Sequence, residues 1–222
     1  MARPIEDIEK QWRQALEEEN AKEIASLAPE ILKDHTQSAL ACELYFHRGN
    51  NVLVSGEGFG TERLARAINE FKAGSEIGAQ LGEAAEPWRS LTRSQLGTCL
   101  YKLGNIQGAI AELKAVADYR PRSSSGMGAL HMLTEFLQED YPRDAKRYEA
   151  QKLSYIRAMI RESTEPSQTH FLKYILAQEL LANPSQAFEG KKLIKELATL
   201  TEDELGEDLF GDVQNEKTQR NL

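Results

Sequence analysis

The stretch from Ser90 to Ser123 limits the fold more than any other part of the chain. Its apolar residues recur at helical intervals in two runs, namely Leu91, Leu96, Leu100 and Leu103, then Ala109, Ile110, Leu113, Val116 and Ala117. This spacing predicts two amphipathic helices. Gly104 and Asn105 separate them, because glycine favours the left-handed conformation that ends a helix and asparagine caps the next helix. Pro121 ends the second helix.

Small residues are placed where the two predicted helices must meet. Gly97 lies in the first helix and Ala109 in the second, and helices joined by a short turn approach within about 8–10 Å of each other. Together with Leu96, Tyr101 and Pro121, these residues fall at the offsets of a two-helix repeat of about 34 residues. The stretch therefore resembles a tetratricopeptide repeat (TPR). It departs from the family in having Arg93 and Leu113 where bulky aromatic residues are usual.

The resemblance implies an all-α fold, a right-handed TPR-like superhelix of about five antiparallel helical hairpins. Helical spacing continues along the chain and predicts hairpins at about residues 4–33, 36–83, 87–120, 123–163 and 167–200. Such repeats gain their stability from stacking, and at least three are needed. We therefore expect a TPR-like helical repeat domain over residues 1–200.

Residues 201–222 differ in composition, with seven acidic and two basic residues. This predicts an acidic, flexible tail beyond a first turn. A short apolar set within it, made up of Leu205, Leu209, Phe210 and Val213, has helical spacing. A segment that docks on the body is thus the alternative interpretation.

Composition and net charge indicate the cellular compartment of the protein and the kinds of partner that it can bind. The net charge of −8 argues against a nucleic-acid-binding surface. Cys42 and Cys99 fall on apolar faces of predicted helices, which indicates reduced, buried thiols. The amino terminus lacks a hydrophobic signal core, and no stretch reaches the ~18–20 apolar residues of a membrane span. These features predict a cytoplasmic protein without direct membrane insertion.

The sequence offers little support for catalysis. The four histidines are scattered and match no metal-ligand spacing. The glycine-rich run at residues 56–60 follows a helical pattern instead of the strand that a phosphate-binding loop requires, so we interpret it as an insertion turn. No nucleophile elbow is present. We expect no enzyme activity, no metal and no cofactor.

In the TPR family the first helix of each repeat lines a concave groove that binds a peptide. Carried onto this sequence, the groove positions are Phe46, Asn50, Leu53, Leu91, Ser94, Thr98, Tyr101 and Lys102. For each of these residues, and for the leucines above all, packing inside the stack is the competing interpretation. Some family members grip a terminal carboxylate, but here Phe46 stands in the lysine position and Gln95 replaces an asparagine. The groove would instead favour a segment with apolar anchors.

These inferences predict a non-catalytic adaptor or scaffold that binds a protein or peptide client in the concave groove. One alternative is a chaperone for a secreted or assembling client. Another is a helical regulatory subunit or a small-ligand sensor, which would need a closed pocket with convergent polar groups. Exposed repeat ends are also compatible with a homo-oligomer.

Overall fold

The chain is described here by a computed structural model that covers residues 3–55 and 60–222. It divides into two compact units, residues 1–136 and residues 137–222. Within the described residues all regular elements are helices, as the spacing of apolar residues predicted. The predicted all-α fold class is therefore confirmed.

The first unit begins with three helical hairpins. Its helices are α1 (Ile5–Glu17), α2 (Ala21–Asp34), α3 (Ala39–Val54), α4 (Gly60–Leu81), α5 (Trp88–Lys102), α6 (Ile106–Tyr119) and α7 (Ser124–Leu137), the last ending at the unit boundary. A short 3₁₀ helix, Gly82–Ala85, follows α4. Contacts join α1 to α2, α3 to α4 and α5 to α6, and also α3 to α5. The first helices of the second and third hairpins, α3 and α5, therefore lie side by side.

The second unit is built around a further hairpin. It comprises α8 (Pro142–Glu162), α9 (Pro166–Ala182), α10 (Ala187–Leu197), α11 (Glu202–Leu205) and α12 (Glu207–Gln219). Contacts join α8 to α9, α9 to α10, and α12 to both α10 and α11. Each of the five predicted hairpin ranges thus holds two helices.

The predicted helix boundaries have identifiable causes in the structure. Gly104 has a φ of +78°, the left-handed conformation expected after α5. The Asn105 side chain accepts a hydrogen bond from the Gly108 N–H at 3.0 Å, which caps α6. Ser38 caps α3 in the same way. Pro142 occupies the first turn of α8, where its missing N–H removes no intrahelical bond.

Glycines allow the hairpin helices to approach closely. A Cβ atom on Gly97 would lie 2.8 Å from Leu113 Cγ and 3.4 Å from the Ala109 carbonyl oxygen. On the preceding hairpin, a Cβ on Gly49 would overlap the ring of Phe71. The predicted close approach at Gly97 and Ala109 is confirmed, and Gly49 with Phe71 is its counterpart.

We expect Gly97→Ala to lower the free energy of unfolding by about 1–2 kcal/mol, because the added methyl group overpacks the contact with Leu113. Gly128 in α7 is a matched control, since a Cβ there meets no atom within 4 Å. Gly128→Ala should stabilise by about 0.5–1 kcal/mol through helix propensity alone. Urea denaturation followed by circular dichroism measures both. Equal stabilisation by the two substitutions would contradict the close approach.

Residues 201–222, for which composition predicted a flexible tail, form α11 and α12. Leu205 and Val213 are buried and pack with Leu197 of α10. Thr201 and Glu204 form a capping box, in which the Thr201 N–H donates to Glu204 Oε2 at 2.8 Å. The acidic residues lie mainly on the exposed face, so their charge does not oppose packing of the apolar face. This segment is part of the second compact unit, unlike the expected division at residue 200.

The predicted insertion turn falls mostly outside the described residues. Of residues 55–60, only Ser55 and Gly60 are described, at the end of α3 and the start of α4. No described helix combines the length and the apolar character needed to cross a bilayer.

Candidate functional site

The eight residues predicted to line a groove lie on two neighbouring helices of the first unit. On α3 they are Phe46, Asn50 and Leu53, and on α5 they are Leu91, Ser94, Thr98, Tyr101 and Lys102. On each helix they follow a three- to four-residue rhythm, apart from adjacent Tyr101 and Lys102, so each set shares one face. Lys102 is exposed and the other seven are half-buried.

Aromatic rings connect the two helices at one end of this surface. Phe46 lies 5.5 Å from Trp88 at the start of α5, measured between ring centroids, and His47 lies 5.5 Å from the same ring. Trp12 of α1 lies 6.0 Å from His47. We call Trp12, Phe46, His47 and Trp88 the aromatic row. Trp12 is fully buried, whereas the other three rings are half-buried.

The other end of the predicted surface contacts α7. The Tyr101 ring stacks on Phe136 at 3.9 Å with an interplanar angle of 7°. Thr98 Oγ1 donates a hydrogen bond to the Ser94 carbonyl oxygen at 3.0 Å and lies 3.7 Å from Met132 Sδ. Thr98 and Tyr101 therefore hold α7 against α5 as well as lining the surface.

Two further predicted residues also contribute to packing. Phe46 and Leu53 lie against the buried core cluster formed by Ala67, Ile68, Phe71, Leu96 and Cys99. For Leu53 this agrees with the competing interpretation, packing inside the stack. Phe46 has both roles, because its ring also contacts His47 and Trp88.

Sequence reasoning missed three residues of this surface: His47, Trp88 and Phe136. His47 is adjacent to Phe46, and Trp88 follows Pro87 at the start of α5. Repeat offsets identify which face of a helix lines a groove, but they do not identify the ring that completes a contact from the neighbouring helix.

A buried carboxylate supports the aromatic row from beneath. Glu43 of α3 is fully buried, and its Oε1 accepts hydrogen bonds from Trp12 Nε1 at 3.0 Å and from Arg13. His47 Nε2 lies 3.7 Å from the same oxygen. Burial raises the pKa of Glu43, but the contacts with His47, Arg13 and Trp12 outweigh it, so the pKa lies below its ordinary value. Glu43 is therefore a charged group in the folded chain, where it holds Trp12 in place and joins α1 to α3.

The cysteines are poorly placed for nucleophilic chemistry. Cys42 and Cys99 are both buried, and Cys42 Sγ donates to the Gly74 carbonyl oxygen at 3.2 Å. Burial raises the pKa of Cys42 to about 11, so its thiol stays protonated at neutral pH. Among the described residues, no three His, Cys, Asp or Glu side chains come together as a metal site.

Two consecutive helical hairpins whose first helices, α3 and α5, lie side by side, with small residues at the contacts, are typical of a TPR-like helical repeat fold. A solved structure from Podosopora anserina, described as a kinesin light chain with nearly identical TPR-like repeats, is similar to this chain with a TM-score of 0.51. The two share 14% sequence identity over 86% of this chain and 90% of that chain. At this identity the similarity establishes the fold alone. It confirms the predicted TPR-like fold.

No family model matches the chain, and no curated protein matches it.

Proposed function

We propose that this chain is a non-catalytic adaptor that binds a protein or peptide segment on the shared face of α3 and α5. The observation that carries the proposal is the placement of Phe46, His47 and Trp88, three half-buried rings in mutual contact across two helices. Aromatic side chains of this kind supply most of the binding energy of protein interfaces, because they bury a large area at a small entropic cost.

The polar residues around the aromatic row indicate the kind of segment that fits. Asn50 and Ser94 are half-buried and Lys102 is exposed, so they offer hydrogen bonds without a concentrated charge. A segment with apolar anchors and an uncharged polar backbone suits such a surface better than a free terminal carboxylate does. The two buried thiols, Cys42 and Cys99, support a cytoplasmic location.

Site-specific photo-crosslinking tests the surface directly. A photoreactive phenylalanine at Ser94 should capture a defined partner from native extract, because this residue lies between the two ends of the surface. The same group at Gln107, exposed on α6, is the control and should not capture that partner. Equal capture at both positions would contradict binding on the α3–α5 face.

Once the crosslinked segment is known, Trp88→Ala should weaken its binding at least about tenfold, as expected for an aromatic anchor. Isothermal titration calorimetry with the synthetic segment measures this, and circular dichroism confirms that the variant remains folded. Gln107→Ala serves as the matched control and should bind like the unaltered chain. Unchanged affinity in a folded Trp88→Ala variant would exclude the aromatic row as the binding site.

A further inference from the structure

A groove in the second unit has an apolar floor. It lies between α9 and α12, and its floor includes Phe171, Tyr174 and Leu209. Phe171 is 54% exposed, which is unusual for a large aromatic side chain on a helix whose four leucines are all buried. The groove therefore presents an apolar surface that nothing in this unit covers.

The rim of this groove carries negative charge that the unit does not neutralise. Glu207, Asp208 and Asp212 are exposed, and within residues 137–222 none of them forms an ion pair. Some other carboxylates of the unit are paired, as Glu179 is with Lys152 and Glu189 with Arg157. The unpaired carboxylates at the rim favour an occupant that is positively charged as well as apolar.

Helix α10 of the same unit has the complementary character. Phe188 is 84% exposed, and Lys191, Lys192 and Lys195 follow it at three-, four- and seven-residue spacing. These four residues share the solvent face of α10 and form what we call the basic stripe. In the second unit none of the three lysines forms an ion pair, so their charge is available to a partner.

The basic stripe cannot fill the groove of its own chain. On the opposite face of α10, Ile194 packs against α9 and Leu197 packs with residues of α11 and α12. A rigid helix that points this face toward α9 and α12 points the stripe away from them. The stripe and the groove can therefore meet only between two molecules.

We infer that the α9–α12 groove binds the basic stripe of a second copy of this chain. Phe188 of one copy covers the floor at Phe171, Tyr174 and Leu209, while the three lysines face Glu207, Asp208 and Asp212. Because the two surfaces differ, the contact is heterologous, and it produces a reciprocal dimer, a ring or a chain of copies. One helix buries less than the about 1,200–2,000 Å² of a stable interface, so the association is weak and depends on concentration.

Charge reversal tests this inference in the full-length chain. The groove variant carries Asp208→Lys and Asp212→Lys, and the stripe variant carries Lys192→Glu and Lys195→Glu. Sedimentation velocity over a range of micromolar concentrations should show self-association of the unaltered chain, weaker in about 1 M than in about 0.1 M salt. Each variant should associate at least about tenfold more weakly, since like charges then face each other.

Mixing the groove variant with the stripe variant distinguishes loss of a specific contact from an effect of altered net charge on association. The stripe of the groove variant and the groove of the stripe variant are both unaltered, so a mixture of equal parts should form a heterodimer. A control variant with Glu139→Lys and Asp140→Lys, exposed residues before α8, should associate like the unaltered chain. Circular dichroism verifies that all variants fold.

Three outcomes would overturn the inference. These are an unaltered chain that stays monomeric at low salt, an association that neither variant weakens, and a mixture of the two variants that remains monomeric. Association through this contact does not involve α3 or α5, so these outcomes would leave the proposed adaptor function unaffected. Failure of the crosslinking experiment would likewise leave this inference unaffected.

Discussion

Deleting residues 203–222 is expected to lower the free energy of unfolding of the second unit by about 3 kcal/mol, because the segment buries apolar side chains. Leu205 and Val213 are 6% and 0% exposed, and their removal uncovers Leu197, which is fully buried. Leu222 packs against a second cluster that includes Ile194. Each such side chain contributes about 1.5–3 kcal/mol when buried, and the entropy of ordering two short helices offsets part of the sum.

Point substitutions separate packing from charge in this segment. Val213→Ala should destabilise by about 1–2 kcal/mol, since it removes buried methyl groups. Asp203→Ala is the control, because Asp203 is exposed and the described residues give it no partner; a change of about 0.5 kcal/mol or less is expected. Urea denaturation measures the stability of the deletion and of both substitutions against that of the unaltered chain. If the deletion left the unfolding midpoint unchanged, residues 203–222 would be only a solvated tail.

The two interpretations of residues 201–222 show that the spacing of apolar residues and the overall composition can predict different structures. The acidic composition predicted disorder, while the spacing of Leu205, Leu209 and Val213 predicted a packed face. Composition averages over all faces of a helix, whereas stability depends on the one face that is buried. The spacing was therefore the better guide, although only the structure identifies Leu197 and Tyr174 as the residues against which that face packs.

The hairpins were predictable because their determinants are local. Gly104, Asn105 and Pro121 act through backbone conformation within a few residues of the boundary that they set. Gly97 was recognisable for a similar reason, since helices joined by a short turn must touch near their joined ends. The described hairpins accordingly lie close to the ranges predicted from spacing.

The candidate site was predictable only in part, because its contacts are not local. Repeat offsets place Phe46 and Tyr101 on the predicted groove face, but they say nothing of Trp88, which is 42 positions from Phe46 in the sequence. The burial of Glu43 depends on Trp12, 31 residues away in another helix. The apolar residues on both sides of Glu43 indicate a buried environment, but nothing in the local sequence identifies Trp12 or Arg13 as its partners.

We expect Glu43→Ala to lower the free energy of unfolding of the first unit by about 3 kcal/mol. The substitution removes the acceptor of the Trp12 Nε1–H, which is left buried without a partner, and opens a cavity beneath the aromatic row. The Arg13 side chain is 43% exposed, so its charge returns to water at little cost. Urea denaturation measures the change, and Glu70→Ala on α4 provides a less buried carboxylate as control.

The Glu43→Gln substitution tests how much the negative charge of Glu43 contributes to stability. Because the pKa of Glu43 is lowered in the folded chain, its ionised form stabilises folding above the unfolded pKa of about 4.3, and this contribution is lost as the pH falls through the folded value. Glutamine cannot ionise, so the stability difference between the unaltered chain and this variant should be constant near neutral pH and shrink below about pH 4. Glu30, Glu204 and Glu216 also have lowered pKa values, but they are present in both proteins and cancel. A difference that stays constant down to acid pH would mean that Glu43 supports the aromatic row through its shape and hydrogen bonds, and not through its charge.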